Sequence, residues 1–187
     1  TQRRSGSYSY AITGQWQGRF ERIRVIGDKH GERTTKRLRA NPWLLRRLRE
    51  TVGIPVKFVH VVRNPFDNIA TIASRAAKSG TPDLAAALQQ YFMLCETVGQ
   101  LKEQVAEGDV VECRHETLIE NPVATLRELC LALRLEPSPE YLAACAGIVY
   151  ESPHKSRDQV QWHADLRREV ERSMEQFPFL HGYTFEE

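Results

Sequence analysis

Val56-Lys57-Phe58-Val59-His60-Val61-Val62-Arg63-Asn64-Pro65-Phe66-Asp67-Asn68-Ile69-Ala70-Thr71 decides the fold. Residues Val56 to Val62 are mostly β-branched or aromatic and hardly alternate, which predicts a short strand buried on both faces. Asn64 is a good N-cap and Pro65 suits the first helical position, so the chain turns directly from strand into a helix running to about Lys78. Ligands of parallel α/β sheets lie beyond the carboxyl ends of strands, where a helix N-terminus offers N–H groups and a positive dipole end. Arg63 stands at that corner. Its guanidinium can fork onto phosphate oxygens; a structural ion pair is the other ordinary use of such an arginine. Thr71, two turns into the helix, can donate a hydroxyl to the same anion or simply pack, and Asp67 favours the helix dipole.

Four other helices begin with the same kind of cap, at Asn41-Pro42, Thr81-Pro82, Asn121-Pro122 and Ser138-Pro139. The cap is therefore ordinary, and the arginine before it at the end of a strand is the distinguishing feature. After a basic loop, the Asn41-Pro42 helix carries Leu44, Leu45 and Leu48 on one side, with Arg46, Arg47 and Arg49 on a solvated face. The Thr81-Pro82 helix keeps Leu84, Leu88, Tyr91, Cys95, Val98, Leu101 and Val105 at helical spacing until Gly108, a core stripe. Asp109 to Cys113 reads as a strand ending at Arg114-His115-Glu116, unless Glu116 and Thr117 already open the next helix. The helix after Asn121-Pro122 buries Leu126, Leu129, Cys130 and Leu133, and the one after Ser138-Pro139 buries Leu142, Cys145 and Val149. The polar loop 151–161 contains His154-Lys155-Ser156-Arg157, two cations and a hydroxyl that can close over an anion or stay a charged surface loop. Trp162, which offers a ring for a base to stack on, leads into a charged helix over 164–175. The tail Phe177-Pro178-Phe179-Leu180 folds back on the body.

Upstream of the opening strand, Arg22 to Ile26 alternates and closes on Gly27, predicting another short strand. The loop Asp28-Lys29-His30-Gly31 after it holds a lysine that can neutralise charge on a transferring group and a histidine that can take a proton near neutral pH. A solvated polar turn is the plain alternative. Residues 1–20 read as loop. Within them Arg4-Ser5-Gly6-Ser7 resembles part of a phosphate-binding loop, but no amphipathic helix follows it. His60, mid-strand, reads as a core histidine.

The 187 residues suit one domain, 1–187, large enough for a substantial core. With 26 Lys and Arg against 24 Asp and Glu, net charge gives no reason to expect nucleic-acid binding. Cys95, Cys113, Cys130 and Cys145 form no CxxC pair, which argues against a zinc site and suits reduced, buried thiols. No apolar run is long enough to span a membrane. A cytoplasmic location is expected. Strands alternating with helices imply an α/β fold with a mostly parallel sheet. Three strands are thin for so many helices, so a further strand is expected upstream of Thr1.

The run Val59 to Asp67 followed by Thr71 resembles the 3′-phosphate-binding segment of sulfotransferases that use 3′-phosphoadenosine 5′-phosphosulfate (PAPS). That pattern has Arg-Asn-Pro, then Asp, then a serine eight residues after the arginine, where this chain has Thr71. Val110 to Leu118 with Asn121-Pro122 is similar to the family's strand, Tyr-Glu-x-Leu and Pro-helix segment, with His115 where tyrosine is common. The ending Phe177 to Phe185, with Gly182-Tyr183, is similar to the closing segment of many members.

The resemblance implies a P-loop NTPase-like three-layer α/β fold and transfer of a sulfuryl group from PAPS to a hydroxyl or amine, leaving 3′-phosphoadenosine 5′-phosphate (PAP), with no metal required. It implies that Arg63, Thr71 and Arg157 bind the nucleotide, that His30 is the base and that Lys29 stabilises charge. The family's 5′-phosphosulfate loop has no counterpart after a first strand here, so the chain reads as a fragment with that loop upstream. A noncatalytic binding module on the same scaffold is the rival reading. A P-loop NTPase would need GxxxxGK[ST] and an acidic magnesium ligand, and neither is visible.

Overall fold

The computed structural model describes residues 4–5, 8–9, 22–78 and 80–186. At its centre β3 (Phe58–Val62) pairs in parallel with β4 (Val110–Arg114), with Phe58 opposite Val110 and Val62 opposite Arg114. The crossover between them is made by two helices, α3 (Pro65–Ala77) and α4 (Leu84–Gln104). A separate antiparallel pair, β1 (Arg4–Ser5) with β2 (Tyr8–Ser9), lies in the stretch expected to be loop; the rest of the reading over 1–20 falls outside the described residues.

The expected α/β fold with a mostly parallel sheet does not form among the described residues. The fold is mostly helical, and among the described residues its only parallel sheet is two-stranded, so it is not a P-loop NTPase-like three-layer fold. Two local causes are visible. The expected strand over 22–26 is exposed irregular chain: its alternation is strand-like, but a strand needs a neighbour to satisfy its backbone. The strand β3 alternates in burial where a doubly covered strand was expected. Val62 is buried, while Val59 and Val61 are 43% and 56% exposed.

Residues expected as basic loop instead form α1 (Gly31–Ala40). Lys and Arg are good helix formers, and Lys36 bonds Glu32 one turn back at 2.7 Å. Next comes α2 (Trp43–Val52), whose Leu45 is buried and whose Arg49 meets Asp109 at 3.0 Å. Arg46 and Arg47 stay exposed.

The core forms where α3 crosses α4. Phe66, Ile69 and Ala73 of α3 pack with Leu84, Leu88, Tyr91, Phe92 and Cys95 of α4. Asp83 caps α4, its carboxylate accepting the Ala86 N–H at 2.9 Å. The remaining elements are α5 (His115–Glu120), α6 (Pro122–Ala132), α7 (Pro139–Ala146) and α8 (Ala164–Met174). Val170 and Met174 of α8 join the core with Phe177, Leu180 and Tyr183, so the apolar tail does fold back. His60 is largely buried edge-on to Phe179 at 4.8 Å. Cys95, Cys113 and Cys145 are buried free thiols and Cys130 is half-buried.

Candidate functional site

The corner after β3 is braced before any ligand is considered. Asn64 caps α3, its side chain accepting the Phe66 N–H at 3.0 Å, and Pro65 has no N–H to offer. The Asn64 N–H donates to Glu116 Oε1 at 3.0 Å, and Tyr183 Oη donates to Glu116 Oε2 at 2.7 Å. Glu116 can reach this corner because α5 begins directly at His115, the alternative that the sequence left open. Asn64 Nδ2 also donates to the Thr184 carbonyl at 2.8 Å. With the Asn64 and Phe66 N–H groups already used and Pro65 offering none, an incoming anion here is met chiefly by side chains.

Those side chains form one stripe, Arg63, Asp67 and Thr71, spaced by one helical turn each. A short 3₁₀ turn, Ser156–Gln159, packs across it. Thr71 Oγ1 donates to Ser156 Oγ at 3.0 Å, and Arg63 Nη2 lies 3.4 Å from the same oxygen. Arg63 also donates to the His154 carbonyl, and His154 Nδ1 is 3.0 Å from Ser156 Oγ. Asp67 accepts from Arg157 Nη1 at 3.0 Å, with both side chains 2% exposed, and its carboxylate is 3.8 Å from Arg63 Nη2. Among the described residues three buried guanidinium nitrogens have no partner, and two of them, Arg63 Nε and Arg157 Nη2, lie in this cluster, the third being Arg167 Nε. Unused buried donors of this kind fit an anionic ligand better than a finished ion-pair network.

Arg157, distant in sequence, therefore meets Arg63 and Thr71 at one place. Lys29 and His30 do not join them: they lie in the exposed segment leading into α1, which packs on α4. Asp28 organises that segment, accepting the His30 N–H at 3.2 Å and the Thr34 hydroxyl at 3.3 Å. Trp162 packs edge-on against Phe66 at 5.3 Å and donates Nε1 to the Arg157 carbonyl at 3.2 Å, which makes it part of the packing. Arg114 lies over the Tyr183 ring and donates to the His181 carbonyl at 2.6 Å. His115, beside the corner, has its pKa lowered by burial and by the Arg63 charge, with Glu116 and Asp67 opposing.

Glu116 is not a site residue in the sequence reading, and Ser156 enters there only as the hydroxyl of a loop that can close over an anion. The i, i+4, i+8 stripe from Arg63 was legible, but its partner turn, ninety residues away at Arg157, was not. Among the described residues, no group of three or more His, Cys, Asp and Glu side chains is placed to hold a metal ion, and no helix is long and apolar enough to cross a membrane.

A family model described as the sulfotransferase family matches residues 10–139. No curated protein matches the chain. Among solved structures, a sulfotransferase domain from the curacin biosynthetic pathway is similar at 18% identity and a TM-score of 0.47, covering 64% of this chain and 52% of that one. The chain thus spans about half the length of that domain.

Proposed function

This chain belongs to the sulfotransferase family, and on that premise we propose that it acts, as one domain over 1–187, in PAPS-dependent transfer of a sulfuryl group to a hydroxyl or amine. The observation that carries the proposal is the convergence of Arg63 and Thr71 on a single oxygen, Ser156 Oγ, at the carboxyl end of β3. Arg63 and Thr71 hold the nucleotide's 3′-phosphate, the arginine through charge-assisted donors and the threonine through its hydroxyl. Arg157 belongs to the same cluster and offsets the buried Asp67 carboxylate, which would otherwise repel the phosphate.

PAPS supplies the sulfuryl group and a stable leaving nucleotide. In this reading the chain supplies position and charge: His30 takes the acceptor's proton and Lys29 offsets negative charge developing during transfer. Incubation with PAPS and a panel of hydroxyl and amine acceptors, followed by mass spectrometry for an added sulfuryl group, tests this. The expected result is transfer that Arg63→Ala abolishes and His30→Ala slows about 100-fold or more. Transfer at an unchanged rate in His30→Ala would remove the base assignment.

A further inference from the structure

We propose that Ser156 is the hydroxyl through which the 156–159 turn binds the 3′-phosphate, and that Asp67 and Arg157 are positioning residues that hold it there; the inference rests on the PAPS-dependent reading above. Ser156 is buried, and its Oγ hydrogen-bonds with both phosphate candidates, 3.0 Å from Thr71 Oγ1 and 3.4 Å from Arg63 Nη2. An anion bridging Arg63 and Thr71 meets that oxygen as well. A serine hydroxyl is a rotor with one proton and two lone pairs, so Ser156, 3.0 Å from His154 Nδ1, can turn its proton to a phosphate oxygen without moving the backbone.

Arg157 is placed differently. Its side chain is closed to solvent, and Nη1 is committed to Asp67 Oδ2. Withdrawing Nη1 toward a ligand would leave a buried carboxylate uncompensated, and Nη2, which has no partner among the described residues, is itself closed to solvent. Its backbone N–H, the amide immediately after Ser156, donates to Asp67 Oδ1 at 3.0 Å. One carboxylate thus fixes both the side chain and the main chain of the turn, between Arg63 and Thr71 on the helix stripe. Trp162 secures the other side of the same residue through its carbonyl. The pair sets where Ser156 stands, and Ser156 meets the ligand.

The test compares affinity for PAP with affinity for adenosine 5′-phosphate, which lacks the 3′-phosphate, by calorimetry on the whole chain. Their ratio isolates the 3′-phosphate contact and is insensitive to a small loss of folded protein. Ser156→Ala is expected to lower the ratio about tenfold and Ser156→Thr to restore most of it. A double variant, Asp67→Leu with Arg157→Met, replaces the pair by apolar side chains and is expected to keep the circular-dichroism spectrum of the unaltered chain. It is expected to lower the ratio about as much as Ser156→Ala. A ratio untouched by Ser156→Ala but abolished by Arg63→Ala would overturn this inference and leave the nucleotide reading standing. A ratio untouched by the double variant would overturn the positioning role. Equal affinity for PAP and adenosine 5′-phosphate in the unaltered chain would overturn the reading beneath both.

Discussion

Arg157 and Asp67 meet twice, guanidinium to carboxylate and backbone N–H to carboxylate, each at 3.0 Å and each closed to water. Removing one partner strands the other charge in a low-dielectric interior. Asp67→Ala is therefore expected to cost about 3–5 kcal/mol of stability, while the paired apolar replacement Asp67→Leu with Arg157→Met recovers most of it. Urea denaturation of the three proteins measures this. Similar midpoints for the single and double variants would contradict it.

Glu116 is the second brace, accepting from the Asn64 N–H and the Tyr183 hydroxyl. Glu116→Ala removes an acceptor from two donors and is expected to cost about 2–3 kcal/mol; Tyr183→Phe, which removes one donor, is expected to cost about 1 kcal/mol. Because the residues share one bond, their effects should fall short of additivity in a double-mutant cycle.

How far these features were legible before the structure differs from residue to residue. The corner at Asn64-Pro65 was, because capping is a local rule that a helix end obeys wherever it lies. Gly31 to Ala40 was misread because its charge density resembles a loop, whereas Glu32–Lys36 and the ties from Arg39 and Gln90 between α1 and α4 favour a helix. The strand expected at 22–26 failed because alternation states which faces differ and says nothing about whether a neighbouring strand exists. The three nucleotide candidates could be chosen singly, but their meeting depends on a contact ninety residues apart that no local pattern encodes.

His60 makes stability depend on pH. Burial, with the charge of Lys102 adding to it, lowers its pKa from the ordinary 6.5 to about 4. The folded value lies below the unfolded one, so the unfolded chain binds the proton first. The stabilisation is full above about pH 6.5 and is lost as pH falls toward 4, by at most about 3 kcal/mol. His60→Phe should flatten that part of the stability curve; an unchanged slope between pH 6.5 and 4.5 would show that other groups dominate.

The cysteines should differ in reactivity. Burial pushes the Cys95 thiol up to about 12, and burial also raises those of Cys113 and Cys130. Only Cys130 is half-exposed. With a thiol reagent at neutral pH it should react first and slowly, and Cys95 only on unfolding. Rapid labelling of Cys95 in the folded chain would contradict its packing against Tyr91.

Arg63 is the residue on which 3′-phosphate binding depends most in the proposed function. Calorimetric titration of PAP into the chain and into Arg63→Ala tests it most directly. The expected result is saturable heat for the unaltered chain and an affinity lower by about 10- to 150-fold in the variant, the worth of a hydrogen bond to a charged group. Saturable heat of the same affinity in both proteins, or none in either, would contradict it.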